Sequence, residues 1–435
     1  MPSRTQPALR ASSTWTRTLI LAVVFALIAA ACGGGGDDEA DAPIDEASDT
    51  TTSAAADSDG DGAAPSTDTD AATADDPGIS PPTTRGPVPN LVVEPLDGVG
   101  AIGVLSGEPA YSGVVGQLDA ERNIVAASAL PPDNVPAGIA PLTGLPLDDP
   151  AIASRPAIVA KIDNTDRGRP QEALSQADIV FETEIEGGFT RLAAVWHSNT
   201  PEVLGPVRSG RTTDIAVFSS FNTPIFVWSG ANRVHSALIR RFDMVNLGAA
   251  TRNEYFRAAD RPGTYDLMTD PTVLWDIAAA DAAGGTPPVH FEYRDDTVGL
   301  PPSATPVSDV RIDYASVGID WAWDAAAGGF VRTQAGTPHV DADEVQIIAT
   351  NVVVAEVDRR STGMVDTAGS PVTEQVFVGA GRGIVFTDGH AIEVLWTKPS
   401  LSSVPTWTTP DGVPVALLPG QTWIELTPPG ATTYG

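Results

Sequence analysis

Apolar positions along this chain fall in short runs, and the runs change character along its length. Leu19–Ala31 is a continuous apolar stretch of 13 residues near the N-terminus. After it no apolar run of note appears until residue 90 or so. From Pro156 onward, apolar runs alternate with helix-like segments. PAIVAKID (156–163) predicts a buried strand. ADIVFETEIEG (177–187) begins as a strand with Val180, Glu182, Glu184 and Glu186 on one side. TRLAAVWHS (190–198) returns through Gly187-Gly188 as the second arm of a hairpin. A helix is expected to start near Ser209, and PIFVWSG (224–230) reads as a fourth strand. Asn232 can cap a helix carrying Val234, Leu238 and Phe242 on one face. A further helix has Asp270 as its cap, Pro271 in its first turn and Gly284-Gly285 at its stop.

Beyond residue 287 the pattern becomes strand-like. VRIDY (310–314), EVQIIATNVVVAEV (344–357), QVFV (375–378), GIVFTDGHAIEVLW (383–396), VPVAL (413–417) and TWIEL (422–426) are the predicted strands, with hairpin turns at Asp388-Gly389 and Asp411-Gly412. The fold class expected is α+β or α/β. An α/β layered domain over 141–287 is followed by a mostly antiparallel β module over 288–435. Residues 85–140, rich in Pro and Gly, are expected to be irregular with one hairpin.

The leader adds an address. Arg4, Arg10 and Arg17 precede the apolar run, and Ala29–Ala31 lead into Cys32, the one cysteine of the chain. A basic segment, a short apolar segment and a small-residue cleavage site describe an export signal. Thirteen residues are too few for a membrane-spanning helix, which needs about 20. Residues 1–31 are therefore read as a lipoprotein signal peptide, with Cys32 acylated after cleavage. The expected location is the extracytoplasmic face of the cell membrane, with the bilayer as a partner. A lone cysteine also removes disulfides and thiolate zinc sites from the fold's resources.

Composition separates the anchor from the body. Residues 33–84 hold 14 Asp or Glu and no Lys, Arg or aromatic residue. Such a segment cannot bury enough apolar surface to offset its ordering entropy, so 32–84 reads as a disordered acidic tether. Asp57, Asp59, Asp61, Gly62 and Asp68 match calcium-loop spacing, but no amphipathic helix flanks them. The whole chain carries a net charge of −31. Three of its 25 basic residues and 14 of its 56 acids lie in leader and tether, which leaves the remainder at −20. That balance excludes nucleic acid as a partner, which needs a basic face.

Candidate chemistry gathers in loops after the first strands, where α/β sheets place ligands. The candidate ligand contacts are Asp163, Asn164, Arg169, Gln171, Glu182, Arg191, Arg208, Ser209, Arg211 and Arg257. In GPVRSGR (205–211) a glycine-bearing turn opens the expected helix, with Ser209 as its cap and two arginines as bidentate donors for phosphate or carboxylate. The same arginines could instead pair with Glu182, Glu184 or Glu186 in a structural network. Asp163 and Glu182 are weak candidates for a general acid and base. His197, His235, His290, His339 and His390 have no metal-ligand spacing, so no metal is expected. Gly379, Gly381 and Gly383 precede a strand rather than a helix, which argues for a turn or bulge over a phosphate cradle. Trp396, Trp407 and Trp423 offer either a sugar-stacking face or core packing. No cofactor is expected.

The run IDNTDRGRPQEALSQADIVFETEIEGGFTRLAAVW and the following GPVRSGR resemble the YerB-like family of bacterial envelope lipoproteins, as do ATNVVV, GRGIVFTDGHAIEVLW and LLPGQTWIEL. The resemblance covers roughly Pro141 to Pro428. The family's motif residues fall on Asp163, Asn164, Arg169, Pro170, Gln171, Glu182, Glu186, Gly187, Thr190, Arg191, Gly205, Arg208, Ser209, Arg211 and Arg257. Where that family shows a Pro-His-Asn stretch, this chain has Thr264-Tyr265-Asp266. The resemblance implies a location and a two-part architecture without implying an activity.

Three functions remain open on these grounds. The first is an anchored envelope protein binding an anionic or glycan ligand, such as a cell-wall component. The second is an envelope hydrolase or transferase using paired carboxylates. The third is a non-catalytic interaction or assembly module.

Overall fold

The computed structural model describes residues 91–96, 100–105, 136–249, 252–295, 297–365 and 371–435. The leader, Cys32, the acidic tether with its Asp57–Asp68 fragment, and residues 124–130 lie outside them. The expected hairpin of 85–140 is β1 (Leu91–Leu96) with β2 (Gly100–Leu105).

The rest is strand-rich and built from mixed sheets. The first half supplies β3 (Ile158–Asp163), β4 (Ile179–Glu184), β5 (Thr190–Trp196), β6 (Ile225–Val227), β7 (Val245–Asn246), β8 (Tyr255–Arg257) and β9 (Leu267–Thr269). The second half supplies β10 (Thr305–Pro306), β11 (Asp309–Asp313), β12 (Gly318–Asp324), β13 (Gly329–Gln334), β14 (Thr337–Pro338), β15 (Ile348–Ala349), β16 (Asn351–Glu356) and β17 (Arg359–Val365). It continues with β18 (Pro371–Gln375), β19 (Gly379–Thr387), β20 (His390–Lys398), β21 (Thr406–Thr408), β22 (Thr422–Thr427) and β23 (Thr432–Tyr434). Among the described residues three α-helices join them: α1 (Thr213–Phe218), α2 (Arg233–Ile239) and α3 (Pro271–Ala280).

One sheet crosses both halves of the chain. Its strand order is β10-β20-β19-β16-β22-β4-β5-β3-β6-β7, with β21 on β20. The strand that joins the halves is β22, parallel to β16 on one side and to β4 on the other. Around it, β4–β5, β5–β3, β16–β19 and β19–β20 pair antiparallel. The turn of the β4–β5 hairpin uses Gly187 and Gly188 at φ 77° and 75°, where a side chain would be strained. A second sheet, β14-β13-β12-β11-β23 with β15 on β13, covers one face of the first.

This layering explains why the central strands carry apolar residues on both faces. Every residue of β3, β4 and β5 is buried, because both faces are covered. On one face Val159, Phe181, Ala193 and Val195 pack with Ile215 and Phe218 of α1 and Leu238 of α2. On the other, Ala160, Ile162, Val180 and Leu192 pack with Val310, Ile312, Ile319, Trp321 and Phe330 of the second sheet.

Several expectations need correction. The helix expected at Ser209 begins only at Thr213 and has six residues, without a side-chain cap. QVFV and VPVAL are apolar but do not form strands beyond Gln375; they pack as extended segments. The glycine run lies inside β19 rather than in a turn. A Cβ on Gly381 would approach Trp396 Nε1 to 2.6 Å, and one on Gly383 would approach the Val354 carbonyl oxygen to 2.4 Å. Bare backbone there lets Trp396 and the neighbouring strand close in. Trp396, Trp407 and Trp423 are buried in the core, so they present no stacking face. Asn232 and Asp270 do cap α2 and α3, accepting from His235 N and Thr272 N at 2.8 Å each.

Candidate functional site

Strand alternation divides the predicted site residues between two faces of the sheet. Asp163 lies opposite Arg191, and Arg191 opposite Thr183, so these three share one face. Glu182 lies opposite Leu192 and Glu425, on the other face. Asp163 and Glu182 therefore do not meet, and the paired-carboxylate arrangement required of a general acid and base is not formed.

Glu182 belongs to a closed ring of hydrogen bonds beneath the second sheet. The Arg332 guanidinium donates to Glu182 Oε2 at 2.7 Å, and both side chains are fully buried. Arg332 also donates to His339 Nδ1. Because Arg can only donate, that nitrogen is the acceptor, and the proton sits on Nε2, which donates to Gln171 Oε1 at 2.8 Å. Gln171 Nε2 donates to Asn164 Oδ1 at 3.2 Å, and Asn164 Nδ2 donates to Glu182 Oε1 at 3.0 Å. Burial and the adjacent Arg332 hold His339 well below its ordinary pKa. Next to the ring, Glu425 accepts from Tyr314 at 2.8 Å and Trp321 at 3.1 Å. Burial, then the Glu182 charge, pushes its carboxyl up to about 8. Three predicted ligand residues, Asn164, Gln171 and Glu182, are thus internal cross-links between the halves. Their partners Arg332 and His339 lay outside the predicted set.

The opposite face gathers Asp163, Arg191, Arg208, Ser209 and Arg211. Arg208 Nε lies 2.7 Å from Asp163 Oδ2 and its Nη1 donates to the Thr264 carbonyl at 2.8 Å. Its guanidinium also sits 5.1 Å from the centre of the Tyr265 ring. Arg211 grips Glu186 through Nε at 2.8 Å and Nη2 at 2.7 Å, a bidentate pair. Burial raises the Glu186 carboxyl, but the bonds from Arg211 outweigh it and leave the net shift downward. Arg191 donates to the Ser209 carbonyl at 2.9 Å. Burial and the neighbouring Arg211 and Arg208 charges push Arg191 down to about 10. Lys161 and Asp214 form a buried ion pair at 2.8 Å, and Asp214 Oδ2 also accepts from Arg211 N at 2.7 Å. Asp214 rather than Ser209 therefore terminates this turn.

Ser209 itself opens onto a cleft. The cleft has a volume of about 480 Å³ and is lined by Ser209, Ser229, Gly230, Ala231, Arg233, Ser236, Ala237 and Arg240. Its helical wall comes from α2, where residues 233, 236, 237 and 240 share one face. The facing wall is the 208–211 segment hydrogen-bonded to the end of β6, through Ser229 N to the Arg208 carbonyl at 2.9 Å and Gly210 N to the Gly230 carbonyl at 3.0 Å. The Ser209 and Ser229 hydroxyl oxygens are 3.4 Å apart. Of the cleft residues, the sequence reading had singled out Ser209 alone. Arg233, Ser236 and Arg240 were visible as the polar side of the helix capped by Asn232.

The remaining candidates lie apart. Arg169 pairs with Asp166, and Arg257, 64% exposed, pairs with Asp266 on the β8–β9 hairpin. His197, His235 and His290 are buried, and burial holds them at about 4, 4 and 3. Among the described residues no group of three or more His, Cys, Asp or Glu is placed to hold a metal ion. No helix among them is long and apolar enough to cross a membrane.

Comparison with known proteins follows the same two-part division. Residues 142–284 match the family model described as "Protein of unknown function (DUF3048) N-terminal domain", and residues 310–424 match its C-terminal counterpart. The chain is 29% identical over 323 residues to the candidate lipoprotein YerB of Bacillus subtilis (strain 168), covering 68% of this chain and 88% of that one. The crystal structure of YerB protein from Bacillus subtilis aligns with a TM-score of 0.59 at 24% identity, over 68% of this chain and 99% of that one, which is a likeness of fold. With both halves matched in order and joined through one sheet, the chain belongs to the YerB-like two-part family, DUF3048.

Proposed function

We propose that this chain is a lipid-anchored protein of the cell envelope, held through an acylated Cys32, whose folded body binds an anionic ligand beside the Arg208–Arg211 segment. Similarity to a protein named as a lipoprotein supports the anchor, together with the basic, apolar and small-residue order of the leader. The observation that carries the binding reading is the cleft at Ser209. Among the described residues two arginines and three serines line it and no carboxylate does, in a chain whose net charge is −31. A basic lining in an acidic protein favours a negatively charged occupant, and the exposed Arg240 brings a guanidinium to the cleft's edge. A cell-wall glycan fragment belongs to this class of occupant. The predicted Arg/Asp/Glu cluster supports the cleft from behind: Arg191 fixes the Ser209 carbonyl, and the Arg208–Asp163 and Arg211–Glu186 pairs hold the segment's ends.

Charge reversal at the exposed Arg240 tests this. The full-length Arg240→Glu chain should keep its melting curve and lose co-sedimentation with purified cell-wall material, and wild-type binding should weaken as salt rises. Undiminished binding by the variant would remove the cleft from consideration.

A further inference from the structure

We infer that the occupant of this cleft is a monosaccharide-sized polyol bearing a carboxylate or phosphate, an anionic sugar rather than a simple anion or an apolar molecule. The inference rests on the binding reading above and narrows it. Size comes first. A space of about 480 Å³ lies within the range of small-molecule sites and is far larger than an inorganic ion or a single water requires.

The lining then selects the chemistry. Among the described residues its side chains are three hydroxyls, two methyl groups and two guanidinium groups, with no large apolar residue. An apolar ligand would gain little contact and would strip water from the serines. A guanidinium only donates, whereas a serine hydroxyl both donates and accepts. A sugar hydroxyl has the same dual capacity, so serines and arginines together complement a molecule with hydroxyls at one part and an anionic group at another. Ser209 and Ser229 converge, their oxygens 3.4 Å apart, which places two dual-capacity groups within reach of adjacent ring hydroxyls. Ser236 donates to the Ala231 carbonyl at 3.2 Å, which turns its oxygen into an acceptor for a ligand O–H.

The arginines sit at the two ends of this hydroxyl-lined space. Arg233 and Arg240 are seven residues apart on α2, about 10 Å along the helix axis. Arg240 lies with its guanidinium 6.0 Å from the Trp228 ring, a contact that orders the side chain at the cleft's edge. An anionic substituent therefore meets the Arg240 guanidinium at the cleft's edge while the ring lies over the serines beside it.

The test is a titration of the full-length chain in detergent with D-glucuronate, glucose 6-phosphate, D-glucose, acetate and inorganic phosphate. Glucuronate and glucose 6-phosphate are expected to bind at least about tenfold more tightly than the other three. Ser229→Ala should erase most of the advantage of glucuronate over acetate, and Arg240→Gln should weaken both acidic sugars about tenfold with the melting curve unchanged. If acetate or phosphate binds as well as the acidic sugars, the sugar assignment fails and the anion-binding reading stands. If glucose alone binds, both the acidic requirement and the role of Arg240 are overturned. If none of the five binds, the cleft is not a ligand site and both readings fall.

Discussion

Arg332 and Glu182 meet at 2.7 Å with no exposed surface on either side chain, although 150 positions separate them. They join the two family halves at the centre of a ring that also contains His339, Gln171 and Asn164. A buried ion pair is costly to desolvate, and breaking it from one side leaves an uncompensated charge. Glu182→Gln and Arg332→Met are each expected to destabilise the fold by roughly 3–5 kcal/mol. Chemical denaturation of the two single variants and the double variant checks this. A loss for the pair well below the sum of the singles is expected; fully additive losses would contradict a direct interaction.

Glu425 makes stability depend on pH in a defined direction. Its folded pKa is about 8, above the ordinary glutamate value. The fold therefore favours the protonated carboxyl. That contribution is complete below about pH 4.3, the unfolded value, and disappears as pH rises through 8. The buried histidines act oppositely. Their folded values, about 4 for His197 and His235, lie below the ordinary one. Stability tied to their neutral forms is present above about pH 6.5 and is lost as pH falls toward 4. Melting temperature should thus decline on both sides of mildly acidic to neutral pH. Glu425→Gln should flatten the alkaline limb and melt higher than wild type at pH 9; an unchanged alkaline limb would rule out Glu425 as its source.

The position of β22 predicts that the halves do not fold apart. This strand comes from the end of the chain and lies between β16 and β4 with parallel ladders to both. Residues 136–300 expressed alone would expose the β4 edge and the apolar face that the second sheet covers. Such a fragment is expected to aggregate or to lack a cooperative melt, whereas fragments 136–300 and 301–435 mixed together should recover one. A cooperative transition in the isolated first fragment would contradict this.

Legibility followed the local character of each signal. β3, β4, β5 and β22 were readable because strands covered on both faces carry adjacent apolar residues, such as Ile158-Val159, Ile179-Val180-Phe181 and Trp423-Ile424, and α2 and α3 because their Asn232 and Asp270 caps act within three residues. The β12–β13 hairpin was not readable. It carries Asp320, Asp324 and Arg332 among its apolar residues, and what makes Arg332 acceptable in a core is Glu182, far away in sequence. The same reason hid the fate of Asn164 and Gln171. They had the polarity of ligand contacts, but Gln171 meets His339 and Asn164 meets Glu182 inside the ring. The helix at Ser209 failed on a local detail: Asp214 accepts from Arg211 N, which delays the first turn to Thr213.

Attachment and ligand binding should separate cleanly. The anchor reading rests on Cys32, and the binding reading on Ser209 and Arg240, at the far side of an acidic segment with no aromatic or basic residue from 33 to 84. Each methylene of an acyl chain buried in the bilayer contributes about 0.8 kcal/mol, so two chains hold firmly where one does not. Cys32→Ala removes the acylation point and leaves the sequence of the body unchanged. The variant is expected in the soluble fraction after cell disruption, with the melting curve and the cleft's affinity for glucuronate unchanged. A Cys32→Ala protein that still sediments with membranes would show that attachment comes from elsewhere in the chain. One that leaves the membrane but also loses its cooperative melt would tie the N-terminal segment to the fold.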